Sequence, residues 1–156
     1  MSSLEDRIQR IQDEQAIRKL VARFANSFSP PNYDAFSKLW VPGGEGQQPV
    51  WTLNEPFTMS ASGIDEIMDM LVKLLKPRDF FVQLVHSGMI EIDGDHATGR
   101  WILREVAKGP GETYYNNFAI YEDVMKKVEG SWYFARRDYK YMFMDTSSFE
   151  GQVFSL

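Results

Sequence analysis

The 156-residue chain contains no cysteine. Disulfides, thiol nucleophiles and cysteine-based metal sites are thereby excluded. Histidine is almost as scarce: His86 and His96 are the only two, too few for the usual zinc site. Basic residues are in the minority. Seventeen Lys and Arg against 22 Asp and Glu leave a net charge of −5, and the only basic clusters are Lys126-Lys127 and Arg136-Arg137. With no basic stripe to release counterions from a phosphate backbone, nucleic acid is not an expected partner. No apolar run approaches the ~18–20 residues of a membrane span, and the charged N-terminus does not read as a signal peptide. The expectation is a cytoplasmic protein that does not span a membrane.

Repeats, long linkers and low-complexity tracts are also missing. What the chain has is bulk: hydrophobic residues make up 44% and aromatics 14% (11 Phe, 7 Tyr, 4 Trp). A disordered chain cannot have that composition, and the length suits one domain over residues 1–156. So many aromatic residues point to a pocket as well as a core.

From Leu4 to Phe28, Leu4, Ile8, Ile11, Ile17, Leu20, Val21, Phe24 and Phe28 recur at helical spacing. Ser2 or Ser3 caps the start, and Pro30-Pro31 ends the run. Asn32 caps a short helix over Tyr33–Leu39. A glycine-rich loop, Val41–Gln48, precedes short strands at Val50–Leu53 and Phe57–Met59. Ile64, Ile67, Met68, Leu71, Leu74 and Leu75 mark a third helix closed by Pro77. Beyond it the period becomes two. Four long strands are predicted, at Phe80–Ile92, Ala97–Val106, Tyr114–Val128 and Trp132–Phe143, joined at Asp93-Gly94-Asp95, Gly109-Pro110-Gly111 and Glu129-Gly130. Helices followed by a meander make an α+β domain, its curved sheet covered by helices on the concave face with a blind pocket between them.

Alternation then sorts the polar residues. Phe80, Val82, Leu84, His86, Ile90 and Ile92 share one face of the first long strand, so His86 is the lone polar group on an apolar face. It suits proton transfer near neutral pH, or equally a core histidine satisfied by a carbonyl. On the second strand Trp101, Leu103 and Glu105 share a face. Glu105 either orients an imidazole or pairs at the rim with Arg104 or Lys108. Tyr115, Asn117, Tyr121 and Asp123 alternate with apolar residues on the third strand and read as substrate contacts or as a solvated outer face. Arg137, Tyr139 and Tyr141 share one side of the last. His96, in a turn, reads as exposed and inert.

Two runs, HSGMIEIDGDHATGRWILRE (His86 to Glu105) and YEDVMKKVEGSWYFARRDY (Tyr121 to Tyr139), resemble the SnoaL-like branch of the nuclear-transport-factor-2-like superfamily, nearest to bile-acid dehydratases and scytalone dehydratase. The resemblance runs from about Leu4 to Phe143, leaving 144–156 as a tail. It implies a cone-shaped, cystatin-like α+β barrel, no metal or cofactor, and a homodimer formed through the sheet. It places the catalytic histidine at His86 and an acidic residue at Glu105, with Tyr121 and Asp123 at matching positions. Where the dehydratases carry a tyrosine and the histidine's aspartate, this chain has Phe24 and Ser29. A last-strand arginine of the bile-acid enzymes falls on Tyr141.

The leading expectation is a cofactor-free, dehydratase-like lyase or isomerase acting on a hydrophobic polycyclic or aromatic small molecule. His86 is its acid/base and Glu105 its orienting carboxylate. Phe24, Ser29, Trp101, Tyr115, Asn117, Tyr121, Asp123 and Tyr141 contact the substrate. Two alternatives stand beside it: a binding protein without turnover, for which Phe24 and Ser29 argue, and a small subunit of a ring-hydroxylating dioxygenase.

Overall fold

Helix α1 (Leu4–Asn26) begins at Ser3, whose hydroxyl accepts from the Asp6 amide while the Asp6 carboxylate accepts from the Ser3 amide. This reciprocal cap satisfies two amides that the first turn leaves free. The computed structural model describes residues 3–44, 46–111 and 113–156; Ser2, the other candidate cap, and Glu45 in the 41–48 loop lie outside them. Leu4, Ile8 and Ile11 are exposed, and α1 packs only from Asp13 onward, through Ile17, Leu20, Val21 and Phe24. The predicted apolar stripe is therefore used over its second half. Asp13 accepts from Trp132 Nε1 at 2.8 Å and pairs with Lys127 at 2.8 Å, which ties α1 to the far hairpin.

Helix α2 (Tyr33–Ser37) is capped by Asn32. Helix α3 (Ile64–Leu75) buries Ile67, Met70, Leu71 and Leu75; of the stripe its sequence marks, Ile64 is exposed, and Met70, outside that stripe, is buried. The strands are β1 (Val50–Leu53), β2 (Met59–Ser62), β3 (Phe80–Asp93), β4 (His96–Gly109), β5 (Thr113–Val128) and β6 (Ser131–Asp145). Strand β2 starts two residues later than Phe57 because residues 55–57 are used in the turn out of β1.

The sheet order is β2-β1-β6-β5-β4-β3, with β1 parallel to β6 and every other neighbour antiparallel. The result is a mixed, curved six-stranded sheet with the N-terminal helices folded over it, a cystatin-like fold. The core lies between, where Phe24, Phe36, Trp51, Ile67, Leu71, Leu103 and Phe134 are buried. No helix among the described residues is long and apolar enough to cross a membrane.

Strand β3 departs from simple alternation. It pairs Val85 with Leu103 and then Ser87 with Ile102, leaving His86 unpaired in a bulge. An extra residue exchanges the two faces of a strand. Phe81 and Gln83 point inward before the bulge, and Gly88, Ile90 and Ile92 after it. Gly88 lies under Trp101, where an added Cβ would stand 2.0 Å from the indole ring.

Candidate active site

Gln83, Glu105 and Asn117 occupy one cross-strand row of the sheet: Gln83 is opposite Glu105 on β3 and β4, and Glu105 is opposite Asn117 on β4 and β5. Their side chains share the concave face, so the alternation of three strands brings a carboxyl group between two amides. Gln83 Nε2 donates to Glu105 Oε2 at 2.9 Å. One row away stand Phe81 and Tyr115; on the other side lie Tyr121, Tyr139 and Tyr141.

This floor closes a cavity of about 190 Å³. Trp51 and Leu53 of β1, Phe57, and Met59 of β2 form one wall; Leu74 and Leu75 at the end of α3, with Phe28 after α1, form another. Phe57 packs edge-on against both Tyr115 and Tyr141, with ring centres 5.8 and 6.2 Å apart. Arg78 completes the rim. The chain leaving α3 docks on the end of β4, where the Asp79 backbone amide donates to the Lys108 carbonyl at 2.8 Å. That approach needs Gly109: a Cβ there would lie 1.9 Å from the Pro77 carbonyl oxygen. The Arg78 guanidinium lies 4.4 Å above the Tyr115 ring.

The electrostatics follow from this enclosure. Burial pushes the Glu105 carboxyl up to about 7, and the Gln83 amide, the Arg78 charge and the Asn117 amide hold it from rising further. A carboxylate loses its hydration there and regains only part of it from neighbouring donors. Burial also raises the phenols of Tyr121, Tyr139 and Tyr141, and the Glu105 charge adds to each rise. All three keep their protons at neutral pH and stay available as donors. Several polar atoms on this wall are buried and without a partner among the described residues: Trp51 Nε1, Arg78 Nε and Nη1, Asn117 Oδ1 and the Tyr139 hydroxyl. A folded protein rarely leaves such groups unpaired, and here they surround a space that a ligand's oxygen atoms could enter. Among the described residues, no three His, Asp or Glu side chains are grouped as a metal site requires.

Of the residues expected from the sequence, Glu105, Tyr115, Asn117, Tyr121 and Tyr141 meet on this cavity. The alternation left open whether the β5 row faced in or out, and the structure turns it inward. The other five lie elsewhere. His86 was expected on the inner face; the bulge puts it at the surface, in a shallow groove with Arg18, Ala22 and Trp101. No carboxylate pairs with it among the described residues. Trp101 and Phe24 face inward but are consumed by packing: Trp101 covers Gly88, and Phe24 packs edge-on against Phe28, Trp51, Tyr121 and Phe134. Asp123 is held two-pronged by Arg137 at 2.8 and 3.0 Å, in a dry pair whose guanidinium stacks on Phe24, Tyr121 and Phe134. Ser29 donates to the Phe81 carbonyl and faces a second hollow outside the cavity.

Gln83, Arg78 and Tyr139 are polar site residues absent from the candidates that the sequence pattern named, although Tyr139 was placed on the same side of its strand as Tyr141. Unbroken alternation put Gln83 on the outer face, because nothing in the string FFVQLVHSG announces the bulge. Arg78 lies in a connection after Pro77, where no periodicity assigns a direction.

The sequence profile of the SnoaL-like domain matches residues 9–138. No curated protein sequence matches the chain. Solved structures match it closely in shape. A protein from Novosphingobium aromaticivorans DSM 12444, provisionally assigned as a scytalone dehydratase, superposes with a TM-score of 0.77 at 15% identity, covering 91% of this chain and 92% of its own. Hexachlorocyclohexane dehydrochlorinase LinA-type3 from Novosphingobium barchaimii LL02 superposes with a TM-score of 0.76 at 14% identity, covering 88% and 92%. An NTF2-like protein with a cystatin-like fold from Novosphingobium aromaticivorans gives 0.72 at 20% identity, covering 91% and 92%. At these identities the likeness shows the fold.

Proposed function

The chain belongs to the SnoaL-like domain family, and on that footing we propose that it is a lyase or isomerase of the dehydratase type. Its substrate is a small hydrophobic aromatic molecule, and Glu105 is the residue that moves the proton. One observation carries this reading: a carboxyl group titrating near neutral pH sits on the wall of an aromatic cavity. Such a group is ready both to take and to return a proton at working pH. Glu105 thus assumes the role expected of His86.

As a carboxylate, Glu105 removes a proton from the carbon beside a substrate carbonyl. The electrons of that C–H bond pass to the carbonyl oxygen and make an enolate. The protonated phenols of Tyr139 and Tyr141 and the Asn117 amide line the same space, and donors placed before charge develops stabilise it without reorganising. For dehydration, the Glu105 acid gives the proton to a departing β-hydroxyl. Water leaves, the enolate electrons close a carbon–carbon double bond, and the carboxylate is restored. For isomerisation the same proton returns to a different carbon. Two structural neighbours, one provisionally assigned as a dehydratase and the other a dehydrochlorinase, support eliminations as the reaction class.

A panel of ring-bearing β-hydroxy ketones, followed by enone absorbance, tests this. Turnover by the natural protein that falls about a hundredfold or more in Glu105→Gln, with His86→Ala little changed, is the expected result. An active Glu105→Gln protein overturns the mechanism.

A second reading, binding without turnover, is favoured because no imidazole lines the cavity among the described residues. It predicts ligands that bind natural and Glu105→Gln proteins alike and are never consumed. We also propose a homodimer through the outer sheet face, where Phe118, Met142 and Phe143 are exposed. Light scattering should return twice the chain mass; a monomer at micromolar concentration refutes it.

A further inference from the structure

Building on the catalytic reading of this cavity, we propose that its substrate is an aryl carboxylic acid in three parts: a single ring in the inner cavity, a carboxylate on Arg78, and an apolar branch in the outer hollow. Size is the first argument. An apolar cavity of about 150 Å³ accommodates benzene, so about 190 Å³ holds one substituted ring and no fused polycycle. Beside it lies a hollow of about 440 Å³, divided from the cavity only by Phe28, Leu75, Arg78 and Phe81, which line both. Together the two spaces reach the range of ordinary ligand sites, about 300–1,000 Å³.

Arg78 is the second argument. Its guanidinium stands at the threshold between the two spaces, oriented by the Tyr115 ring. Nε and Nη1 are buried without a hydrogen-bond partner, and no carboxylate pairs with Arg78 among the described residues. Asp79, the other charged side chain on the hollow, does not reach it. A planar fork of unused donors matches a carboxylate in two-pronged geometry. The hollow beyond is walled mostly by apolar groups, among them Pro30, Pro31, Phe80, Val153 and Phe154, with Ser29, Asp79, Gln152 and Ser155 as its polar members, which suits an aliphatic branch. A carboxylate on Arg78 also cancels the positive charge that restrains the Glu105 titration. In the loaded site the Glu105 carboxylate is then the stronger base for the first proton transfer.

The test is binding, read by calorimetry and independent of turnover. Its probes are hydrocinnamate, the primary amide of hydrocinnamate, and the α-butyl derivative of hydrocinnamate. The natural protein should bind the acid about tenfold or more tightly than the amide, the margin of a charge-assisted pair over a neutral one. Arg78→Gln should erase that preference, and Arg78→Lys, which keeps the charge and controls for folding, should restore part of it. The α-butyl acid should bind at least about tenfold tighter than hydrocinnamate as its added methylenes leave water. Equal binding of acid and amide, a preference that survives Arg78→Gln, no gain from the butyl branch, or no binding of either acid at millimolar concentration each overturns the proposal. The catalytic reading fails separately, on turnover by Glu105→Gln.

Discussion

Replacing Glu105 by glutamine keeps the shape of the cavity and removes one titration, and the sign of the resulting stability change depends on pH. In an unfolded chain this carboxyl titrates near 4.5; inside the cavity burial raises it to about 7. Below pH 4.5 it is neutral in both states and costs nothing. Between the two values the unfolded chain gives up its proton and the folded chain keeps it, so stability falls as pH rises. The gap is about two and a half pH units, and each unit is worth about 1.36 kcal/mol. The full penalty of about 3 kcal/mol is therefore reached just above pH 7 and is absent in the glutamine protein. Urea midpoints of both proteins, taken at about pH 4.5, 6, 7 and 8 in one salt, read the difference directly. Asp13 and Asp138, whose carboxyls stay below the usual range through their basic and hydrogen-bonding partners, titrate identically in both proteins and cancel. Glu105→Gln should gain about 3 kcal/mol on the natural protein between the lowest and highest pH. A difference that stays flat to within about 0.5 kcal/mol, the scatter of ordinary surface changes, would refute the reasoning. Glu105 would then be an ordinary ionised carboxylate at neutral pH and unfit to act as an acid.

Two more substitutions separate scaffold from site. Asp123→Asn leaves the Arg137 guanidinium buried among three aromatic rings without its counter-charge; breaking one partner of a dry pair costs about 3–5 kcal/mol. Denaturant unfolding should show a loss of that order, and a loss below about 1 kcal/mol would mean the pair is solvated. His86→Ala alters an exposed side chain outside the cavity. Its stability should change by less than about 0.5 kcal/mol, and its ligand affinity should be unchanged; a large loss of either would show that His86 reaches the site.

How much of this was readable beforehand varied with the kind of element. The capped start of α1 and most of the α3 stripe are local and appear where the residues say, with Ile64 exposed and Met70 buried as the departures. The inward rows of β4, β5 and β6 also follow from parity, so Glu105, Tyr115, Asn117, Tyr121 and Tyr141 could be named as site candidates before any fold was seen. Even so, parity left one choice open, which side was inside, and only packing against Phe24, Trp51 and Leu75 closed it.

The sequence by itself determined that helices precede a curved meander, because periods of 3.6 and two are properties of neighbouring residues. It also determined that no thiol or disulfide takes part. The tertiary structure alone decided which inward residues touch empty space. Trp101 and Phe24 point the right way and are spent on packing, whereas Asp123 is spent on Arg137. The bulge at His86 is a matter of cross-strand register, set by what β4 presents opposite it, and a single extra residue exchanges the faces of everything beyond. That exchange moves the one histidine of β3 to the surface and leaves Gln83 beside Glu105. Arg78 reaches the cavity because Gly109 lets the end of α3 dock against β4, residues that are distant along the chain. Enclosure, and with it the perturbed Glu105 carboxyl, exists only when all these surfaces close at once.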